Sequence, residues 1–124
     1  MIVKALASAA LAALALGMTV PAQAADAAHG QELYESRCGG CHSLDSNRVG
    51  PAHRGVFGRK AGTAPGFNYS PAVKNSGVVW EDKTLDAWLT NPQALNPGQR
   101  MNFRVATAED RADIIAYLRQ QSGR

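Results

Sequence analysis

Further cysteines, runs of like charge and a membrane-length apolar run are all missing from this 124-residue chain, and each absence closes a possibility. The one extended apolar stretch, residues 5–20, falls short of the roughly 20 residues that a spanning helix needs. With two cysteines in all, a four-cysteine zinc site cannot be assembled, and no alternating strands and helices flank the pair as a thioredoxin-like redox centre would require. Thirteen Lys and Arg stand against 10 Asp and Glu without clustering, which gives no footprint for nucleic acid. Low-complexity tracts and internal repeats are absent too. Methionine is scarce, with Met1, Met18 and Met101 the whole complement.

What is present begins with a leader. Lys4, the Ala- and Leu-rich stretch 5–20 and Ala22-Gln23-Ala24 have the charge, apolar run and small-residue site of a secretory signal peptide. Residues 1–24 are therefore expected to be removed on export to the periplasm, leaving a single domain over residues 25–124. Losing Lys4 leaves that domain only mildly basic. A chain of this size builds a marginal core from side chains alone, so a buried apolar cofactor would supply useful mass.

The densest chemistry lies in Cys38-Gly39-Gly40-Cys41-His42. Two thiols three residues apart on one helical turn can each add to one vinyl group of a porphyrin, and the CxxCH pattern reads as a c-type haem attachment site. The histidine after the second thiol is carried under the ring, where neutral imidazole is a good iron ligand. The two glycines leave no side chain to collide with the macrocycle, at a helix-propensity cost of about 1 kcal/mol each relative to Ala. A structural disulfide is the plainest alternative for two cysteines in an exported chain. For the second axial position, Met101 is the only thioether that survives removal of the leader, and Pro97-Gly98 can turn the chain to present it. His29 and His53 are the competing imidazoles. His53 follows His42 too closely to cross to the opposite haem face, His29 sits in the first helix, and both are expected to be surface or loop histidines.

Around this motif the periodicity predicts three helices. Residues 26–37 form the first, with Asp26 as N-cap and Leu33 and Tyr34 apolar. Gly30 lies on that face and permits a close crossing. The expected partner is the C-terminal segment, which opens with Thr107-Ala108-Glu109-Asp110 and places Ile114, Ile115, Tyr117 and Leu118 at helical spacing. A short helix over 84–90 carries Leu85, Trp88 and Leu89 and stops at Asn91-Pro92. Between His42 and Trp80 neither period is sustained. So long a loop suits a chain wrapped around a cofactor.

The whole set of residues resembles the class I cytochromes c, in particular bacterial periplasmic members similar to mitochondrial cytochrome c. Beyond CxxCH the likeness runs through Gly50-Pro51, Gly55-Val56-Phe57-Gly58-Arg59, Ala64-Pro65-Gly66-Phe67-Asn68-Tyr69-Ser70, Trp80, Thr84-Leu85, Asn91-Pro92, Pro97-Gly98, Met101, Phe103 and the segment 111–118. The resemblance implies an all-α fold with packed terminal helices, one haem c bound through Cys38 and Cys41, and His42 and Met101 as axial ligands. It implies that the Pro51 carbonyl accepts the other ring N–H of His42, that Arg59, Tyr69 and Trp80 surround the propionates, and that Phe103 lies beside the exposed haem edge. Trp88 stands where mitochondrial members carry a Tyr meeting the methionine sulfur, Gln99 replaces a Thr, and Val73 replaces a polar residue near the inner propionate. The hydrogen bonding around the haem is thus expected to be thinner or differently wired.

The function implied is one-electron transfer without catalysis, by a soluble monomer that docks transiently on membrane proteins. Such partners include a cytochrome bc complex, a terminal oxidase or a photosynthetic reaction centre. Arg37, Arg48, Arg100 and Arg104 match or adjoin positions that flank the haem edge in relatives. The rival is a haem c enzyme or sensor in which Met101 stands away from the iron and an open site does peroxidase or gas-binding work.

Overall fold

The computed structural model describes residues 10, 12–19 and 23–124. Lys4, Ala22 and much of the stretch 5–20 lie outside the described residues, so the segment expected to be a leader is described only in part. Its residues 12–19 carry no regular secondary structure, and Leu14, Leu16 and Met18 are exposed.

Helix α1 (Ala27–Leu33) starts where the Asp26 carboxylate accepts the N–H groups of Ala28 and His29 at 2.9 and 3.1 Å, satisfying donors that a helix start leaves unpaired. The chain then widens into a π-helical turn, Tyr34–Cys38, that delivers Cys38 at its end. Residues 26–37 were expected to be plain helix. The π turn has no composition of its own and is set by what packs on it.

The last helix, α5 (Ala108–Gln121), begins at Thr107, whose hydroxyl accepts the Asp110 N–H at 3.3 Å. It lies across α1 at Gly30, where a Cβ would stand 1.9 Å from the Asp113 carbonyl oxygen. Only glycine permits that approach. Leu33 and Tyr34 meet Ile114, Ile115, Tyr117 and Leu118 in one buried cluster, each large apolar side chain contributing about 1.5–3 kcal/mol by leaving water.

Helix α2 (Pro71–Lys74) is a single turn capped by Ser70. Helix α3 (Asp82–Thr90) starts two residues before the expected 84, because Glu81 and Thr84 form a reciprocal capping box. Its Leu85 and Leu89 enter the core, and Arg111 of α5 reaches Asp86 at 2.7 Å. Helix α4 (Pro92–Leu95) is a second single turn, capped by Asn91. Neither α2 nor α4 is long enough to show periodicity. Elsewhere, residues 58–61 and 78–80 exchange backbone hydrogen bonds around an isolated bridge between Lys60 and Val79. Among the described residues no strand forms, and the fold is all-α, as the resemblance implied.

Candidate functional site

The residues of CxxCH form one closed turn at the end of the π-helical segment. The N–H groups of Cys41 and His42 both donate to the Cys38 carbonyl, at 3.1 and 2.9 Å. Both cysteines are free, so the disulfide alternative is set aside. Burial pushes the Cys38 thiol up to about 11. At Gly39 the close neighbour lies within the chain itself, since a Cβ there would meet the Glu35 carbonyl oxygen at 2.5 Å.

His42 is fixed from several sides. Its Nδ1–H donates to the Pro51 carbonyl at 2.9 Å, which leaves Nε2 as the end with the lone pair. Burial lowers its pKa from the ordinary value, in opposition to the Pro51 bond. The neutral imidazole is the form that binds a metal. A Cβ at Gly50 would lie 2.1 Å from Cε1 and 2.5 Å from each ring nitrogen, over the ring rather than off its edge, so residue 50 has no room for a side chain. The Arg48 guanidinium closes the turn from outside, donating to the carbonyls of Gly39, His42 and Gly40 at 2.6, 3.1 and 3.2 Å.

His53 lies on a loop, as expected, but its half-buried imidazole is stacked on His42, with centroids 3.9 Å apart and planes 18° from parallel. Its Nδ1 meets the Tyr34 hydroxyl at 2.9 Å. Burial, then the neighbouring His42 and Arg59, hold its pKa well below the ordinary value. The sequence carried no signal for this, because the pairing with Tyr34 spans 19 residues. His29 lies in the first helix as expected, and is a partner of Asp113 at 2.8 Å.

Met101 is half-buried on the loop between α4 and α5. Two side-chain oxygens on the same loop, Asn96 Oδ1 and Gln99 Oε1, are buried without a partner among the described residues, where buried polar atoms are ordinarily paired. The Gln99 amide donates to Gln93 of α4 and to Asn102 of its own loop, at 3.2 Å each. Trp88 meets Trp80 edge to face at 5.2 Å, and Val73 packs against the core. Trp80 is buried and bonded through its backbone to Arg59, whose carbonyl accepts the Trp80 N–H at 2.9 Å. The Arg59 guanidinium donates to the carbonyls of Ala52 and Arg54 at 3.1 and 3.5 Å. The Tyr69 hydroxyl accepts the Ala64 N–H at 2.9 Å and retains its own proton for donation. Phe103 is 41% exposed.

The arginines divide into two pairs. Arg37 is bound to Asp110 at 3.1 Å and Arg48 is taken up by the turn carbonyls. Arg100 and Arg104 are exposed and make no ion pair among the described residues.

The donor set fits a haem c: two unbridged thiols and a neutral imidazole with a free Nε2 on one turn, and one thioether on a loop beyond it. Bound there, haem supplies a one-electron iron couple. Comparison with known proteins agrees. The cytochrome c family model matches residues 27–122. Cytochrome c of Euglena viridis is 48% identical over 97 residues, covering 76% of this chain and 95% of its own. Cytochrome c2 of Rhodomicrobium vannielii is 44% identical over 104 residues, covering 81% and 82%. Among solved structures, cytochrome cH from Methylobacterium extorquens superposes with a TM-score of 0.74 at 39% identity, over 77% of this chain and 98% of that one. With the turn, the crossing of terminal helices and these relatives in agreement, the chain belongs to the cytochrome c family and carries haem c covalently through Cys38 and Cys41.

Proposed function

We propose that this cytochrome c is a soluble, monomeric periplasmic electron carrier, freed from residues 1–24 by signal cleavage, with His42 and Met101 as its axial ligands. The observation that carries the ligand reading is the His42 geometry: Nδ1 is committed to Pro51, so Nε2 is the ring nitrogen left to bind iron. With Met101 as the second ligand both axial positions would be filled, and small molecules would reach the metal only by displacing a ligand. This favours electron transfer over an enzymatic or gas-sensing role.

The other residues have supporting parts in this reading. Arg59, Tyr69 and Trp80 hold donors toward the propionates, which need positive charge and hydrogen bonds when buried. Trp88 and Phe103 line the pocket and its exposed edge. Arg100 and Arg104 flank Phe103 in the chain and steer an acidic partner, such as a cytochrome bc complex, a terminal oxidase or a reaction centre. The exposed Leu14, Leu16 and Met18 support a leader that takes no part in the core.

Optical spectra of the oxidised and reduced protein test the ligand set, with carbon monoxide added to the reduced form. Imidazole and thioether ligation with no reaction with carbon monoxide is expected; a reduced form that binds it at once would return the open-site enzyme or sensor. Electron-transfer rates with a membrane partner should fall with ionic strength, and a rate independent of salt would remove the arginine docking.

A further inference from the structure

The proximal ligand has one neighbour with no part in the haem contacts described above. His53 lies flat on His42, 3.9 Å between centroids and 18° from parallel. Its own orientation is fixed from behind: the Tyr34 hydroxyl is 2.9 Å from Nδ1, and the Tyr34 ring stands edge-on at 5.6 Å and 62°. Tyr34 is in turn buried in the π-helical turn that ends at Cys38, tilted against Tyr117 of α5 at 5.3 Å. A continuous line of aromatic contacts thus runs from the crossing of the terminal helices to the ligand ring.

The Pro51 bond is a single contact at Nδ1, and together with the covalent link at Cγ it restrains the imidazole plane without fixing its tilt. Gly50 crowds the ring near Cε1, but a glycine backbone sets a limit and gives no preferred angle. A flat partner does, because two stacked rings lose contact as soon as one tilts, whereas an aliphatic side chain packs in many orientations. The hydroxyl tether makes the angle definite by stopping His53 from turning with His42.

We infer that His53, held by Tyr34, is a positioning residue that fixes the rotational angle of the His42 imidazole plane. In the loaded protein that plane would decide which iron orbital meets the ligand π system. The inference rests on His42 as an axial ligand, and the experiment keeps the two separable.

The test compares the loaded wild-type protein with His53→Leu, His53→Phe and Tyr34→Phe. The readouts are the optical spectrum, the thermal midpoint and the paramagnetically shifted haem methyl resonances of the oxidised form, which depend on ligand-plane angle. His53→Leu should keep imidazole and thioether ligation but redistribute the methyl resonances, and His53→Phe, which restores a flat ring, should bring the pattern back toward wild type. Wild-type methyl resonances in His53→Leu, with only a lower thermal midpoint, would reduce His53 to packing and overturn the inference. Should His53→Leu fail to assemble, Tyr34→Phe decides: redistributed methyls support the tether and unchanged methyls overturn it. A wild-type optical spectrum without imidazole and thioether ligation would remove the ligand assignment beneath it.

Discussion

The two sides of the site are built in different ways. On the side of CxxCH, backbone bonds run from Gly50 to Cys41, from Arg48 to Gly50, from His53 to Ser43 and from Arg54 to Leu44, and the Arg48 guanidinium adds three more to the turn carbonyls. On the side of Met101, no backbone N–H from Arg100 to Arg104 meets a carbonyl or side chain of the described residues. That loop is held at its ends, with a single side-chain bond inside it from Gln99 to Asn102. The Asn96 amide donates to the Ala72 carbonyl at 3.1 Å, while the Val105 N–H donates to Leu89 at 2.8 Å and Arg111 binds the Val105 carbonyl at 2.9 Å. The imidazole side is over-determined and the thioether side is suspended, so ligand exchange should belong to Met101.

Gly50→Ala breaks the rigid side and carries the largest expected effect. The added Cβ lies 2.1 Å from Cε1 of a ring that Pro51 and His53 prevent from retreating, and overpacking of this kind costs about 3 kcal/mol. Denaturant unfolding should show that loss, with much less haem-loaded protein recovered. Wild-type stability and yield would mean the imidazole side yields as readily as the loop.

Met101→Ala breaks the suspended side instead, and the contrast predicts a milder structural outcome. The variant should stay folded and loaded, because the loop ends do not depend on Met101, but its iron should bind carbon monoxide. The potential should fall by at least about 59 mV, a tenfold shift toward the oxidised form for one electron. A potentiometric titration checks this, and an unchanged potential and spectrum would show that another group holds the second axial position.

How much of this contrast the sequence disclosed follows from the range of each interaction. The Asp26 and Thr107 caps, the Gly30 crossing and the buried faces of α1 and α5 are local or periodic, and each was legible. The π turn before Cys38, the single turns α2 and α4, and the Glu81 cap were not, since one turn has no period and a capping glutamate resembles any surface acid. The Met101 loop was legible from scarcity, because Met101 is the one thioether after residue 24. His53 was the clearest miss: its place is decided by a hydroxyl 19 residues earlier and a ring 11 residues earlier, and local composition around Arg54 and Gly55 speaks only of a loop.

A smaller effect should appear on raising the pH of the oxidised protein. A suspended thioether is open to replacement by a neutral amine, yet Lys60, Lys74 and Lys83 are the only lysines after residue 24, and none lies from residue 84 to Met101. Arg100 cannot substitute, because guanidinium keeps its proton and offers no lone pair. Lys74 is the informative control, since it ends α2, whose Ala72 accepts from Asn96 and would touch a Cβ at Gly98 at 3.4 Å. Imidazole and thioether ligation should therefore persist to higher pH than in lysine-bearing relatives, as followed by magnetic resonance spectra. A lysine-bound form at mildly alkaline pH that disappears in Lys74→Ala would show that the loop ends give way as well as its middle.

The smallest effect concerns what holds the rigid side to the rest of the protein. Helix α1 carries the CxxCH turn, and beside the Gly30 crossing it is fastened to α5 by Asp113, which accepts from the Asp26 N–H at 2.7 Å and from His29 Nδ1 at 2.8 Å. The Asp113 bond raises the His29 pKa above 6.5, so the contribution of His29 is complete below about that value and is lost as pH rises through the raised one. The His29 bond, then the Asp26 N–H, lowers Asp113 below 3.8, so its contribution is complete above that value and is lost as pH falls through the depressed one. The pair is whole at mildly acidic pH and weakens toward alkaline pH, with a modest effect because His29 is 43% exposed. Corrected for intrinsic exchange, the amides of α1 should exchange more slowly near pH 6 than near pH 8, and His29→Ala should abolish the difference. The Val105 amide, anchored to Leu89 on the other side, should show no such dependence. Equal pH dependence in α1 and at Val105, retained in His29→Ala, would mean that the two sides share one opening reaction and that their difference in bonding does not reach their dynamics.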